Sequence, residues 1–247
     1  PLGGLHRERR VGCDLPRRLA GPGTAEIQDL LSRRGMHHVL ADPDARAAGF
    51  DRPGVSIDLG AIGKGYAVDL IAERIQARGI AAGALISGRS SVLVWGAPPG
   101  DAHWKLEVVH PDDPEESLAV LEVEPGAVST SGAYARRFFR GGKEYGHVID
   151  PRTGRPARAL RGVTLWTESA ILGDVLSTAL FVLGREALAP GGCGEKLAAA
   201  WARPGGAPRG SALLVEEATG VWGGLRAETF HIGAPGFTLS AQGEGVG

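Results

Sequence analysis

Two residues of one apolar segment have the types and spacing expected of a metal site. Asp174 and Thr178 lie four residues apart in ILGDVLSTALFVLG (171–184), a spacing that places both side chains on one face of a helix, one turn apart. Carboxylate and hydroxyl oxygens are hard donors that suit Mg²⁺ better than zinc or copper. A second interpretation stays open, in which Asp174 caps a loop or pairs with an arginine while Thr178 bonds back to its own helix.

A glycine-rich segment, IDLGAIGKGYAVD (57–69), has features of a phosphate site. Its pattern predicts a strand over 55–60, a turn, and a helix from about Tyr66 to Arg78. Glycines let the backbone approach a ligand, and N–H groups at a helix start attract phosphate. Lys64 adds a positive charge in a chain with only four lysines against 23 arginines. The spacing fits neither the P-loop nor the Rossmann fingerprint, so a tight structural turn is an equal alternative.

Two further segments combine polar side chains with turn chemistry. HVIDPRTGRP (147–156) places a histidine, a carboxylate and a hydroxyl around a proline and a glycine. Since Pro fixes φ and Gly accepts positive φ, these residues predict a turn whether or not they bind a ligand. VSTSGAY (128–134) follows a predicted strand, and its hydroxyls suit phosphate or ribose, although a Ser/Thr turn is the more common outcome.

The elements that must position these residues indicate an α/β fold. Apolar alternation predicts strands at GALIS, VLVWG, WKLEVV, LAVLEVE, VTLWT and LLVEE, and periodicity of 3.6 predicts helices after Thr24, near 66–78, at 171–184 and near 195–203. We expect a loop or arm over 1–23 and one α/β domain over 1–234, with a mixed, partly antiparallel sheet and helices packed on it. Residues 235–247 are predicted to form a flexible tail.

Composition excludes several classes of protein. The formal net charge is −1, with 43% hydrophobic and 22% charged residues, which is typical of a globular protein and not of a nucleic-acid binder. The two cysteines, Cys13 and Cys193, indicate neither a disulfide framework nor a thiolate metal site. The chain starts at Pro1, and we expect that processing or truncation has removed the native beginning, with any signal or lipid anchor.

Taken together, the order DLGAIGKGYAVD, AVSTSGAY, HVIDPRTGRP and GDVLSTALFVLG resembles the ApbE family, the FAD:protein FMN transferases. The family patterns are close to DxGGIAKGYAxD, a TSG segment, HIIDPRTGxP and ADxLSTALFVLG, and the match covers most of residues 55–184. There are departures. ISGRSS (86–91) replaces the usual LxGGN or LxGGD, so Arg89 stands for a glycine, and Gly63 stands where Ala is common. The resemblance implies an ApbE-like (T-fold-like) domain that lacks the family's N-terminal segment.

The resemblance implies Mg²⁺-dependent transfer of the FMN half of FAD to a Thr or Ser hydroxyl of an acceptor protein, with release of AMP. His147 would be the base for that hydroxyl, and Asp174 would be catalytic through the metal. Implied metal ligands are Gly63 (by its carbonyl), Asp174 and Thr178. Implied flavin-nucleotide contacts are Asp58, Lys64, Thr130, Ser131, Gly132, His147, Val148 and Ile149. Asp150 and Arg152 would brace the turn.

Two other functions remain open from the sequence. In the first, water replaces the acceptor hydroxyl and the protein is an FAD pyrophosphatase that yields FMN and AMP. In the second, the chain is a truncated, non-catalytic flavin-binding homologue. Family acceptors are typically subunits of sodium-pumping or electron-transfer complexes that carry a Ser/Thr flavinylation motif. The family also implies a bacterial protein on the periplasmic side of the cell envelope.

Overall fold

The computed structural model describes residues 22–111, 113, 115–132, 137–140, 143–188, 210–217, 225–232 and 235–239. Contacts divide the chain into two compact units, one of Pro1–Val55 with Arg152–Gly154 and the other of Ser56–Pro151 with Arg155–Gly247. Nearly all of the predicted arm 1–23 and the predicted helix near 195–203 lie outside the described residues. No helix within these ranges is long and apolar enough to span a bilayer.

The smaller unit combines a helix with a β-hairpin. Its elements are α1 (Thr24–Ser32), a short 3₁₀ helix (Met36–His38), β1 (Val39–Asp42) and β2 (Ala47–Phe50). The helix begins at Thr24, but its N-cap is Gly23, and no side chain caps it. The two strands pair antiparallel, with Val39 opposite Phe50. His38 is buried, and its Nδ1 lies 3.0 Å from both carboxylate oxygens of Asp51, so this pair fixes the strand end against the 3₁₀ turn.

The larger unit contains most of the predicted elements. Its helices are α2 (Gly63–Gln76), α3 (Ala170–Leu183) and a 3₁₀ helix (Arg185–Leu188). Its strands are β3 (Gly83–Ser87), β4 (Ser91–Trp95), β5 (Trp104–Val109), β6 (Ser117–Val123), β7 (Gly126–Gly132), β8 (Arg137–Arg140), β9 (Lys143–Gly146), β10 (Ile149–Asp150), β11 (Arg155–Pro156), β12 (Gly162–Thr167), β13 (Gly210–Glu217), β14 (Leu225–Ile232) and β15 (Phe237–Leu239).

These strands form one large sheet, one smaller sheet and two hairpins. The six-stranded sheet has the order β14-β13-β12-β7-β4-β3, the three-stranded sheet has the order β15-β6-β5, and β8–β9 and β10–β11 are hairpins. Every pairing among the described strands is antiparallel. The predicted α/β fold with helices packed on a sheet is therefore confirmed, and the described strands of that sheet are antiparallel throughout.

The larger unit is built in three layers. Side chains alternate along the strands of its central sheet, so apolar side chains project from both faces and each face is covered by another layer. On β4, Leu93 and Trp95 pack in the cluster that includes Val68 of α2. Val94, between them, packs in the cluster that includes Leu121 of the three-stranded sheet. The two helices therefore cover one face of the six-stranded sheet, and the three-stranded sheet covers the other.

Three predictions about local structure are wrong. Residues 55–59 form no strand; they pair with no strand of the described chain, and Ile57 and Leu59 are 47% and 63% exposed. The following helix starts at Gly63, one turn before the predicted Tyr66. The predicted tail does not begin at Pro235, because Phe237–Leu239 pairs with β6 and Phe237 is buried in the core. A single sequence does not show which apolar alternation will find a partner strand, since pairing is a tertiary event.

Candidate functional site

The carboxylate of Asp174 lies at the centre of the predicted site. Asp174 is 4% exposed on α3. Its Oδ2 accepts a hydrogen bond of 2.8 Å from the backbone N–H of Gly65, and its Oδ1 accepts one of 2.9 Å from the hydroxyl of Ser91. The ammonium of Lys64 lies 3.0 and 3.1 Å from the two oxygens. Three separate elements, α2, α3 and the start of β4, therefore converge on one buried negative charge.

The convergence depends on a close crossing of α2 and α3. A Cβ on Gly65 would lie 2.2 Å from the backbone carbonyl oxygen of Ala170, so only glycine allows this approach. One turn further along α2, the carboxylate of Asp69 accepts hydrogen bonds from the N–H groups of Ala170 and Ile171, at 2.8 and 2.9 Å. Asp69 therefore caps the start of α3, where a negative charge is favourable.

Thr178 lies one turn after Asp174, as its spacing predicts. Its hydroxyl donates to the backbone carbonyl of Asp174 at 3.1 Å, and it lies 3.2 Å from the hydroxyl of Ser131. Ser131 also lies 2.9 Å from the hydroxyl of Ser177. These contacts, with those of Asp174, match the second interpretation of the helix, except that a lysine takes the place of the arginine. They place hydroxyl groups of β7 and α3 side by side, about one helical turn after Asp174.

The three residues of the TSG segment are divided between the two faces of the sheet. They belong to strand β7, not to a turn after it. Ser131 faces α3, whereas the hydroxyl of Thr130 lies 2.9 Å from that of Thr164 on the paired strand β12. Because neighbouring residues on a strand point to opposite faces, the side chain of Thr130 is directed away from Asp174. Gly132 ends the strand, beside Gly162 of β12.

The glycine-rich segment reaches the site through a turn. Asp58 is exposed, and its carboxylate accepts a hydrogen bond of 2.6 Å from the N–H of Gly60, which tightens that turn. The N–H of Gly63 donates to the carbonyl of Leu59 at 2.8 Å as the first residue of α2. Nothing lies within 4 Å of a Cβ built on Gly63. Two hydrogen bonds of this turn, from Gly60 to Asp58 and from Gly63 to Leu59, thus set the positions of Gly63 and Lys64 at the helix start.

The turn predicted in HVIDPRTGRP is present, and it lies within a β-hairpin that was not predicted. Ile149 pairs with Pro156, and residues 151–154 form the turn, with Gly154 at φ 67°. His147 is exposed and lies two residues before the start of β10. Val148 packs against the hydrophobic cluster around Phe181, and its carbonyl accepts a hydrogen bond from Ala157 at 2.9 Å. The side chain of Val148 therefore contributes to the core, while Ile149 is 48% exposed.

The donors around Asp174 fit a magnesium ion that arrives with a substrate. Among the residues that the structure describes, no three His, Cys, Asp or Glu side chains are grouped to hold a metal, and Asp174 is the carboxylate on which Lys64, Gly65 and Ser91 converge. Mg²⁺ characteristically uses one or two carboxylates and completes its shell with water and substrate phosphates. The carboxylate of Asp174 and the hydroxyl of Thr178 meet that requirement, and the ammonium of Lys64 already shows that this carboxylate accepts a cation.

Two residues of this arrangement were not among the predicted site residues. Ser91 belongs to the ISGRSS segment, which stood out only because it departs from the family pattern, and its hydroxyl is 1% exposed against Asp174. Asp69 ends the first motif. It lies four residues after Gly65, a spacing that places the two residues on the same face of α2. The motif spacing therefore contained a signal for Asp69, whereas only the register of β3 and β4 places Ser91.

Comparison with known proteins identifies the family of the chain. Residues 8–191 match the model of the ApbE family. The FAD:protein FMN transferase of Escherichia coli K12 is 31% identical over 169 residues, which are 67% of this chain and 48% of that protein. The enzyme of the same name from Rhodobacter capsulatus is 39% identical over 137 residues, 54% of this chain and 25% of that protein. The chain thus spans about half the length of the Escherichia coli relative.

Solved structures show the same fold. The ApbE protein of Thermotoga maritima superposes with a TM-score of 0.64 at 33% identity, over 80% of this chain and 60% of that one. The flavin transferase ApbE of Vibrio cholerae gives a TM-score of 0.66 at 25% identity, over 86% of this chain and 62% of that one. Because the family model covers well over half of the sequence and the fold agrees with these structures, the chain belongs to the ApbE family.

Proposed function

We propose that this chain carries the reaction site of an FAD:protein FMN transferase, which moves the FMN part of FAD onto a Ser or Thr hydroxyl of an acceptor protein. The observation that carries the proposal is the convergence on Asp174. Lys64 and Gly65 of the first family motif contact its carboxylate. Thr178 of the last motif donates to its backbone carbonyl, and Ser131 of the second motif contacts Thr178.

The proposed reaction is a displacement at phosphorus. The acceptor hydroxyl oxygen bonds to the phosphorus on the FMN side of the diphosphate, and the bond from that phosphorus to the bridging oxygen breaks. AMP leaves with the bridging oxygen, and the hydroxyl proton passes to the imidazole of His147. Phosphoryl transfer of this kind depends on positioning and on neutralising charge more than on covalent help from the protein.

The charges of the site support that chemistry. Asp174 and Thr178, with the carbonyl of Gly63, would hold Mg²⁺, which would withdraw charge from the diphosphate oxygens and stabilise the departing AMP. Lys64 is 44% exposed and lies at the same carboxylate, so it can reach phosphate oxygens of a bound dinucleotide. Ser91 and Gly65 hold the carboxylate in place while the substrate binds.

His147 suits the role of base because its imidazole is exposed next to a rigid hairpin. A neutral imidazole accepts a proton near pH 7. We expect His147→Ala to lower the rate of transfer much more than the affinity for FAD. Equal losses of rate and FAD affinity would instead make His147 a binding residue.

The test is an incubation of the chain with FAD, Mg²⁺ and a protein that carries a Ser/Thr flavinylation motif, followed by in-gel flavin fluorescence. We expect a fluorescent acceptor band, which disappears with Asp174→Asn, with EDTA, and with an acceptor whose hydroxyl residue is alanine. Asp101→Asn is the matched control, because it removes the same charge from an exposed carboxylate, whose ion pair in the described chain is with Lys105.

The same samples distinguish the two alternatives. Free FMN and AMP without covalent flavin identify a pyrophosphatase, and an exposed His147 is the observation that favours it, because water has access to the same base. Bound, unconverted FAD identifies a non-catalytic flavin-binding protein. From membership of the ApbE family, we propose an acceptor from an electron-transfer or sodium-pumping complex. On the same ground, we propose a location on the periplasmic side of a bacterial cell envelope.

A further inference from the structure

The three donors that hold Asp174 differ in how easily they can leave it. The N–H of Gly65 is fixed in the first turn of α2, and the hydroxyl of Ser91 is 1% exposed on a paired strand. The side chain of Lys64, in contrast, is 44% exposed. Two donors therefore keep the carboxylate oriented, and the third is an ammonium on a flexible stem that can exchange with solvent cations.

Lys64 also supplies the only positive charge that the structure records within 4 Å of this carboxylate among the described residues. The side chain of Asp174 is 5% exposed, and a buried carboxylate is costly without a counter-charge. A divalent cation and the ammonium carry like charges, so they repel when both lie against one carboxylate. Binding of the cation should therefore displace Lys64.

The choice of side chain supports exchange over permanent pairing. The chain supplies positive charge almost entirely as arginine, with 23 arginines against four lysines, yet a lysine stands here. Arginine binds a carboxylate through a rigid two-pronged fork, whereas lysine is a mobile point charge that moves readily from one anion to another. A residue that must release a carboxylate and then approach a phosphate needs the second kind of behaviour.

We propose that Lys64 is an exchangeable counter-ion of Asp174: it neutralises the carboxylate until a divalent cation replaces it, and then it neutralises the diphosphate that arrives with the cation. Cation and diphosphate consequently bind with positive cooperativity. The cation displaces the ammonium of Lys64 from Asp174, and the diphosphate gives that ammonium a new anionic partner. Lys64 is thus a positioning residue that couples two ligands. The inference rests on the proposed function for the identity of the diphosphate ligand, FAD.

The test measures Mn²⁺ binding, in place of Mg²⁺, by the electron paramagnetic resonance signal of the free ion. Wild-type chain is titrated with and without FAD at low temperature, and chromatography verifies that FAD stays intact. We expect FAD to tighten Mn²⁺ binding to the wild type about tenfold, within the usual range of coupling between two sites. Without FAD, Lys64→Gln should bind Mn²⁺ roughly tenfold more tightly than the wild type, and added FAD should then tighten its Mn²⁺ binding clearly less than it tightens that of the wild type, because only the direct contact between cation and diphosphate remains.

Two further variants complete the design. Lys105→Gln removes a half-exposed lysine that pairs with Asp101, so it matches the change in net charge and should behave as the wild type. Lys64→Arg keeps the positive charge and should bind Mn²⁺ no more tightly than the wild type. Circular dichroism of each variant verifies that it is folded.

Equal Mn²⁺ affinities of wild type and Lys64→Gln without FAD would overturn the inference, as would coupling to FAD that is as strong in Lys64→Gln as in the wild type. These results concern binding only, so they are independent of whether flavin reaches an acceptor. Loss of covalent transfer with intact Mn²⁺–FAD coupling would count against the proposed function alone.

Discussion

Replacing Gly65 by alanine should disturb both the packing of the two helices and the geometry of the site. The added methyl group would lie 2.2 Å from the carbonyl oxygen of Ala170 and 2.7 Å from the Cα of Ile171. Both atoms are backbone, so no side chain can rotate away, and the helices must separate. The same separation would stretch the 2.8 Å hydrogen bond from the N–H of residue 65 to Asp174.

The size of the effect follows from two opposing terms. Overpacking of this kind costs about 3 kcal/mol of unfolding free energy, and replacing glycine in a helix returns up to about 1 kcal/mol. The net loss is then about 2 kcal/mol, which corresponds to a fall in Tm of about 4–8 °C for a protein of this size. Gly63→Ala is the matched control, because nothing lies within 4 Å of its Cβ. It should stabilise the protein by roughly 0.5 kcal/mol.

Thermal unfolding followed by circular dichroism compares the three proteins, and urea titration checks the free energies independently. The two Gly→Ala changes lie only two residues apart in one helix, yet they should change the free energy of unfolding with opposite signs. A Gly65→Ala protein as stable as the wild type would show that α2 and α3 do not cross as closely as the structure places them. Equal destabilisation by both changes would attribute the effect to the helix start and not to the contact.

Three further predictions concern other contacts. Asp69→Ala should lower the free energy of unfolding by about 1–2 kcal/mol in urea titration, because α3 loses its cap, and Asp69→Asn should lose less. Ser91→Ala removes a donor from a buried carboxylate and should cost about 1–2 kcal/mol by the same measurement; Ser117→Ala, which removes a buried hydroxyl without a partner in the described part of the chain, should not destabilise. The hydrogen bond from His38 lowers the pKa of Asp51 below its ordinary 3.8. A carboxyl group of this kind stabilises the folded state above its unfolded pKa and loses that contribution as pH falls through its folded pKa, so Asp51→Asn should flatten the loss of stability below about pH 3.8 in acid titrations.

Local patterns predicted the elements whose residues determine their own conformation. The apolar period of 3.6 located α3 to within a residue at each end, and the Pro151–Gly154 turn followed from turn chemistry. The strand predicted at 55–60 failed for a physical reason. Alternation makes a segment suitable for pairing, but hydrogen bonds to a second strand must stabilise it, and the described chain gives this segment none.

The sequence also did not predict on which face of the sheet a given strand side chain lies. The hydroxyls of Thr130 and Ser131 are adjacent in the chain, yet they point to opposite faces of β7. A shift of one residue in the register with β12 would exchange them. Register is set by packing of the whole sheet on its two neighbouring layers, which no short motif contains.

The amino-acid sequence by itself determined which residues could do chemistry, their family, and the helix that presents Asp174 and Thr178 together, because those features are local in the chain. Only the tertiary structure decided that Lys64 and Ser91 meet Asp174, across 110 and 83 residues of sequence. The physical reason is that one buried carboxylate takes its partners from whichever elements pack around it. That packing depends on a glycine contact between two helices and on the register of a sheet.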